Sequence, residues 1–451
     1  MKPIVKNGIT EGVIWSQLLI FFFPLLFGAF IQQLYITIDA IVVGRYIGKE
    51  ALSAVGGTTG ALINIPVCFF MGAVSGAAVA VSQYYGKKSE EDVSKAVHTA
   101  VALSIVGGVV IMVIGLIAAP TALRWMGTPD DIMPDSLLFI RIYFSGMIAN
   151  LFYCMGTGIL RAVGDSRRPL YFMIAACLMN ILLDLLFVIV FQWGVMGVGI
   201  ATVISQTFGA CMVGIVLMRT NHCYKLHIRK IHFHSKMLKK IIRIGGPTGL
   251  QSLMYCVPNL MVQSSINSFG TDTIAAWSVF GKIDGLFWII MGSFGISITT
   301  FVGQNFGAEK IDRVRQGVKA CYRIALTVAV CMSIVLYFGG ESIYHWFTQD
   351  PVVIAKGMEI LHFLVPTYIT YVSIEILSGS LRGMSNTLIP MMLTIFGVCM
   401  LRIAWIIIAV PIWPNIKTII FSYPLAWAVT SLFFIFYYRY FTKREFAEKG
   451  W

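Results

Sequence analysis

"VSQYYGKKSEEDVSKAV", residues Val81 to Val97, returns in altered form as "VGQNFGAEKIDRVRQGV", residues Val302 to Val318. Gln83 pairs with Gln304 and Gly86 with Gly307, at an offset of 221 residues. The same offset joins "GILRAVGDSRRP", ending at Pro169, to "GSLRGMSNTLIP", ending at Pro390, with Arg161 matched to Arg382. "GKEALSAV" from Gly48 pairs with "GTDTIAAW" from Gly270, one residue further apart. Matches spaced this evenly make the chain a tandem repeat of two halves.

Around these anchors the sequence is apolar. Of 451 residues, 57% are hydrophobic and 12% charged, where a soluble domain carries about 25% charged residues. The apolar residues come in blocks of about 20 to 30, the length a helix needs to cross a hydrocarbon core of about 30 Å. No segments of ~10 alternating residues appear, which argues against a β-barrel. Breaking the chain at charged or Gly/Pro-rich points gives twelve expected spans: 14–43, 52–82, 96–120, 137–160, 170–191, 195–218, 246–268, 274–302, 321–340, 360–380, 388–411 and 418–438. The first follows a short basic tail (Lys2, Lys6) and is too long for a signal-peptide core, so it reads as retained. The nine cysteines are dispersed and form no CxxC, so they read as packing residues rather than a disulfide framework.

Lys and Arg set the expected orientation. Twenty-six of the 34 fall in or at the edges of the N-tail, the C-tail and alternate loops, and six in or at the edges of the other set of loops. The positive-inside rule then puts both termini and the 219–245 loop in the cytoplasm. The net charge of +13 needs no nucleic-acid partner, because it gathers in stretches such as "KIHFHSKMLKKIIR" (Lys230 to Arg243), where anionic headgroups attract it. His232 and His234 there form an H-x-H pair, read as part of a solvated basic linker because no carboxylate or thiolate stands near in sequence. Six spans per half, an even number, make the repeats parallel, related by an axis along the membrane normal. The expected division is a six-helix bundle over 1–218, a linker over 219–245, a second bundle over 246–438 and a tail over 439–451.

Parallel bundles that rock against each other alternate access to a cleft, which favours a secondary transporter. The chain has no G-x-x-x-x-G-K-[ST] motif for an ATP-driven motor, no H-E-x-x-H or G-x-S-x-G, and no filter-like repeat. It does have carboxylates where they are costly. Asp39 and Asp184 stand in spans 1 and 5, and an ionised side chain at mid-bilayer costs roughly 2.5–3.5 kcal/mol to insert. Helical spacing of four residues pairs Tyr35 with Asp39, Asn180 with Asp184, and Thr202 with Gln206. Counted from the outer span ends, Asp39, Asp184 and Thr202 fall at one depth in the outer half of the membrane. Two carboxylates, an amide oxygen, a hydroxyl and a phenol offer hard oxygen ligands that suit Na⁺. The pair suits a proton as well, since two carboxylates in a low-dielectric setting resist ionising together. The competing reading is hydrogen-bonded glue between helices. Pro24 interrupts span 1 and Pro247 stands near its repeat equivalent; each is a hinge or a static kink.

The ordered set "QQLYITIDAIVVGRYIGKEALSAVG", "VSQYYGKK", "ILRAVGDSRRP", "NILLDLLF", "GVMGVGIATVISQ", "FVGQNFGA" and "SLRGMSN" resembles the multidrug and toxic compound extrusion (MATE) family, on its bacterial DinF-like or MepA-like side. The resemblance covers essentially the whole chain. It implies an all-α membrane fold of two six-helix bundles in a V, with cation binding at Tyr35, Asp39, Asn180, Asp184 and Thr202. It also implies an antiporter of a bacterial inner membrane that exports amphipathic, often cationic, organic compounds in exchange for H⁺ or Na⁺. No cofactor, enzymatic activity or nucleic-acid partner is implied, and the chain is expected to work as a monomer within the lipid bilayer. A lipid or lipid-linked precursor flippase of the same superfamily is the alternative, favoured by a broad basic cleft. The substrate cleft is expected to include Glu375, Gln206, Gln251, Lys282 and Asp284, among aromatic and Met side chains that suit organic cations. Lys282 and Asp284 are expected to form a local ion pair. Some relatives carry an acid on helix 7 where this chain has Gln251, a departure that weakens any second-bundle ion site.

Overall fold

A computed structural model describes residues 9–448; the basic tail residues Lys2 and Lys6 and the last three residues of the expected tail lie outside the described residues. The described chain is helical throughout and contains no strand. In the first half, α1 (Ile14–Val42), α2 (Lys49–Gly56) and α3 (Thr58–Gly86) precede α4 (Glu90–Trp125), α5 (Met133–Ser145) and α6 (Met147–Ala162). Then come α7 (Arg167–Leu185) and α8 (Gly194–Arg219). The second half holds α9 (Ser235–Met254), α10 (Cys256–Asn267), α11 (Thr271–Gly307), α12 (Ile311–His345), α13 (Pro351–Leu364), α14 (Tyr368–Gly383), α15 (Leu388–Thr394), α16 (Leu401–Ile412) and α17 (Ile416–Glu448).

Ten helical stretches are long and apolar enough to cross a membrane, and α5 with α6 makes an eleventh, bent by 50°. At the place expected for span 7, α9 is long but opens with Lys236, Lys239, Lys240 and Arg243, while the apolar α10 has only 12 residues. Together they complete the twelve. Several helices outrun their spans: α4 has 36 residues, about 54 Å at 1.5 Å per residue, and reaches well past the hydrocarbon. The expected tail from 439 is the continuation of α17.

The repeat is visible in the backbone. α3 and α11 end at left-handed residues, Lys88 (φ 58°) and Glu309 (φ 59°), which are repeat partners. α6 and α14 end at another such pair, Gly164 (φ 95°) and Ser385 (φ 65°). A left-handed residue closing a helix lets the N–H of the next residue reach back to an orphan carbonyl: Asp165 N–H reaches Leu160 C=O at 2.9 Å, and Asn386 N–H reaches Leu381 C=O at 2.9 Å. The halves differ where Gly56 and Gly57 interrupt the first, splitting α2 from α3, whereas α11 runs unbroken for 37 residues. Adjacent glycines are a common site of helix kinks.

Two compact units divide the described chain. The first comprises Phe23–Gly249; the second takes Ile9–Phe22 and everything from Leu250 onward. The expected boundaries at 218 and 246 therefore differ from the structural ones. Residues 219–234 and the first part of α9 pack on the first unit, and the first part of α1 packs on the second. Physical cause is visible in both cases. Gly72 and Gly76 of α3, four residues apart, meet Gly245 and Gly249 of α9, also four apart, and a Cβ on Gly245 would lie 2.7 Å from Gly72 O and 2.9 Å from Ala73 Cα. Small residues at this spacing let helix backbones touch. In the second unit, Phe22 stacks on Phe294 with ring centroids 4.0 Å apart. Arg313 donates to Gly12 C=O at 2.9 Å, Ile9 C=O at 3.3 Å and Asn305 Oδ1 at 3.2 Å. Each helix thus changes unit within two or three residues of a proline, Pro24 in α1 and Pro247 in α9.

Within the first unit α6 packs against α3, α4 and α8, burying Leu151, Met155 and Ile159 completely. In the second, α14 packs against α11, α12 and α17 around Val372, Ile376 and Leu381. Of the polar side chains described below, α6 carries Asn150, and α14 carries Glu375, Ser378 and Arg382.

Candidate functional site

The first unit gathers polar groups from α1, α5, α6, α7 and α8. The carboxyls of Asp39 and Asp184 come within interaction range of one another, and the Tyr35 hydroxyl reaches Thr202. Thr202 donates to Val198 C=O at 2.9 Å, leaving its oxygen free to accept. Asn180 and Asp184 are each only 1% exposed. Yet one oxygen of Asp39, both oxygens of Asp184 and both polar atoms of Asn180 are buried without a well-formed hydrogen bond. A buried polar atom left unpaired costs about 1–3 kcal/mol, more when charged. Five such atoms in one place argue against simple helix glue, which would pair them with each other. Four of the five are oxygens, the atom type that ligates a hard cation or shares a proton.

α1 continues after Val42 as a π-turn over Val43–Ile47, and α7 continues after Leu185 as another over Leu186–Val190; the two pack together. A π-turn widens the helix by one residue and is frequent at functional sites. Both carboxylates therefore sit within a turn of a widened backbone.

Gln206 extends the cluster. Its Nε2 donates to Tyr143 Oη at 3.3 Å, Asn150 Nδ2 donates to the same oxygen at 3.2 Å, and Gln206 Oε1 has no partner. Tyr143 and Asn150 flank the α5–α6 bend, and the sequence reading missed both. Their seven-residue spacing suggests one helical face, but the intervening break hides it.

The second unit holds a different site. A cavity of about 190 Å³ is lined by Gln251, Ser252, Tyr255, Glu375, Ser378 and Arg382 among others. Tyr371 donates to Glu375 Oε2 at 3.0 Å, and Gln251 Nε2 donates to Thr394 Oγ1 at 2.8 Å. Tyr255 lies within interaction range of Tyr371 and Thr394. Glu375 lies where a Cβ on Gly295 would have to be, so this glycine makes room for the carboxylate. Tyr371 was legible in principle, four residues from Glu375 on α14; the tertiary partners were not.

The expected Lys282–Asp284 ion pair does not form. Asp284 instead accepts from Tyr368 O–H at 2.7 Å and Trp288 N–H at 2.6 Å, with the guanidinium of Arg402 as its charged neighbour. Lys282 is exposed. Residues two apart on a helix point to different faces, so the pair could not have met. Arg402, 2% exposed, donates to Asn259 Oδ1 at 2.8 Å and lies 4.0 Å above the Tyr423 ring. Asp284 and Arg402 are thus part of a buried, aromatic-walled network.

Two pseudo-symmetric six-span halves, each with a cluster of buried polar side chains among its spans, define a polytopic α-helical membrane transporter. The MatE family model matches residues 24–186 and again 247–408, once per half, and the chain belongs to this family. It is a transporter and not an enzyme. Among curated relatives, the "Probable multidrug resistance protein YoeA" of Bacillus subtilis is 26% identical over 98% of this chain and 97% of its own length. The "Probable multidrug resistance protein NorM" of Thermotoga maritima is 24% identical over 83% of this chain and 81% of its own. A solved structure described as MATE in the bent conformation matches with a TM-score of 0.91 at 20% identity, covering 97% of each chain. That likeness shows the fold: two bundles of six helices.

Proposed function

We propose that this protein is a multidrug antiporter of a bacterial cytoplasmic membrane, working as a monomer. It exports amphipathic, often cationic, organic compounds as H⁺ or Na⁺ enters. Both termini and the 219–245 segment face the cytoplasm, in keeping with the concentration of Lys and Arg there. The printed names of its relatives, probable multidrug resistance proteins, support this substrate class.

One observation carries the reading: the Asp39–Asp184 pair, whose buried oxygens lack partners. In this reading Asp39, Asp184 and Asn180 bind the coupling ion, while Tyr35 and Thr202 complete its oxygen shell. Pro24 is the hinge. Lacking an N–H, it removes one hydrogen bond from α1 about fifteen residues before Asp39, where the helix passes from one unit to the other. Ion occupancy at Asp39 would then bias the bend. Glu375, Gln206 and Gln251 serve the organic substrate. Glu375 gives the second-unit cavity an acid for a cationic group, and Tyr255 gives it an aromatic face.

Gradient-driven efflux from proteoliposomes tests this. Asp39→Asn and Asp184→Asn, folded and inserted, should each abolish coupled efflux, and Thr202→Ala should raise the Na⁺ requirement if sodium is the ion. Normal coupled efflux by Asp39→Asn protein would remove the carboxylate from the mechanism.

A further inference from the structure

The cytoplasmic half of the first unit carries a histidine that the transport reading does not use. His98, near the start of α4, is 1% exposed and has both ring nitrogens engaged. Nδ1 lies 2.7 Å from the Ser94 carbonyl, and Nε2 accepts the backbone N–H of His227 at 3.0 Å. A carbonyl offers no proton, so Nδ1 must carry one; Nε2 must then be bare, because it accepts. The ring is therefore fixed as one neutral tautomer. The next residue, Thr99, holds the same segment further along: its hydroxyl accepts the N–H of His234 at 3.2 Å and lies 3.3 Å from His234 Nδ1. Two consecutive residues of α4 thus pin positions 227 and 234, the stretch that leads directly into α9.

The second unit pins its corresponding segment differently. There Arg313 grips the carbonyls of Ile9 and Gly12 ahead of α1, and Lys310 donates to Thr10 C=O at 3.0 Å. A guanidinium stays charged at every cellular pH. An imidazole does not.

We propose that His98 is a pH-sensitive latch on the segment before α9, closed while its ring is neutral and opened by protonation. A proton on Nε2 would set N–H against N–H at position 227. It would also place a buried cation beside His227 and the ammonium of Lys230, which face the ring from the linker, and near His234. Among the described residues no carboxylate faces it there to compensate. Opening releases position 227 in the segment that leads into α9, while Thr99 still holds position 234, so acidification on that side loosens the approach to one of the two swapped helices and not the other. The side of the membrane on which acidification acts rests on the proposed orientation; the latch itself does not.

Amide hydrogen exchange on the purified full-length protein, corrected for intrinsic rates, reads the latch between pH 5 and 8. Protection at His227 should be flat at the upper end and fall about tenfold per pH unit below the titration, as one linked proton requires. The 9–13 segment should show no such dependence. His98→Gln, whose Oε1 accepts at any pH, should keep the segment protected throughout, and His98→Ala should leave it open throughout. Wild-type protection independent of pH would overturn the proposal, as would a pH dependence that survives in His98→Gln. The wild-type profile decides the matter even if a variant fails to fold.

Discussion

Replacing Gly245 by alanine tests why α9 begins on the first unit. The added methyl would lie 2.7 Å from the Gly72 carbonyl oxygen and 2.9 Å from Ala73 Cα, where ordinary contact begins near 3.4 Å. The obstructing atoms are backbone, so no rotamer change relieves them. The helices must separate by roughly half an ångström or more, and overpacking of this kind costs about 1–3 kcal/mol. At about 2–4 °C per kcal/mol for a unit of 150–250 residues, the apparent Tm should drop by several degrees. Scanning fluorimetry of purified protein in detergent measures it. Gly246→Ala is the control, because nothing lies within 4 Å of its would-be Cβ. Gly72→Ala combined with Gly245→Ala should cost less than the two singles added, since one separation accommodates both methyls. Equal Tm for wild type, Gly245→Ala and Gly246→Ala would refute the view that backbone contact holds this helix.

Two further outcomes follow from the second unit. Asp284→Asn should destabilise by about 1–3 kcal/mol by weakening the acceptor of the Tyr368 O–H and Trp288 N–H bonds, whereas Lys282→Gln should stay within about 0.5 kcal/mol; thermal melts of both separate this network from a surface ion pair. Glu375→Gln should weaken efflux of organic cations more than of neutral compounds in a paired-substrate assay, and equal loss for both would assign the carboxylate a structural or coupling part.

Much of the fold could be read from the chain because membrane crossing is a local property. Twenty apolar residues between charged loops read as a span whatever packs against them, and the 221-residue offset needs no structure. Asp39, Asp184 and Asn180 stood out for the same reason, as polar residues where solvation is expensive. What escaped depends on contact between distant segments. Tyr143 is one tyrosine among 18 until the α5–α6 bend turns it toward Gln206. Asp284 looked like a partner for Lys282 because they stand two residues apart, but Tyr368 reaches it from α14 by packing; only Trp288, four residues on in α11, is local. The exchange of α1 and α9 between units was hidden altogether, since GxxxG spacing within a helix does not name the helix it will meet.

The left-handed helix ends have a consequence for how the two halves diverge. Lys88 and Glu309 hold the same torsion angle with side chains of opposite charge, and Gly164 has given way to Ser385 without moving the corner. A non-glycine residue in this region costs of order 1–2 kcal/mol, so three of these four corners are held against a standing penalty. The duplication that made the chain is thus preserved more faithfully in dihedral angle than in amino-acid identity. Mutation there is free to change what a corner displays to its surroundings, but an inserted or deleted residue would redirect the helix that follows. Divergence between the halves is channelled into side chains, and two modules with different surface chemistry keep one skeleton.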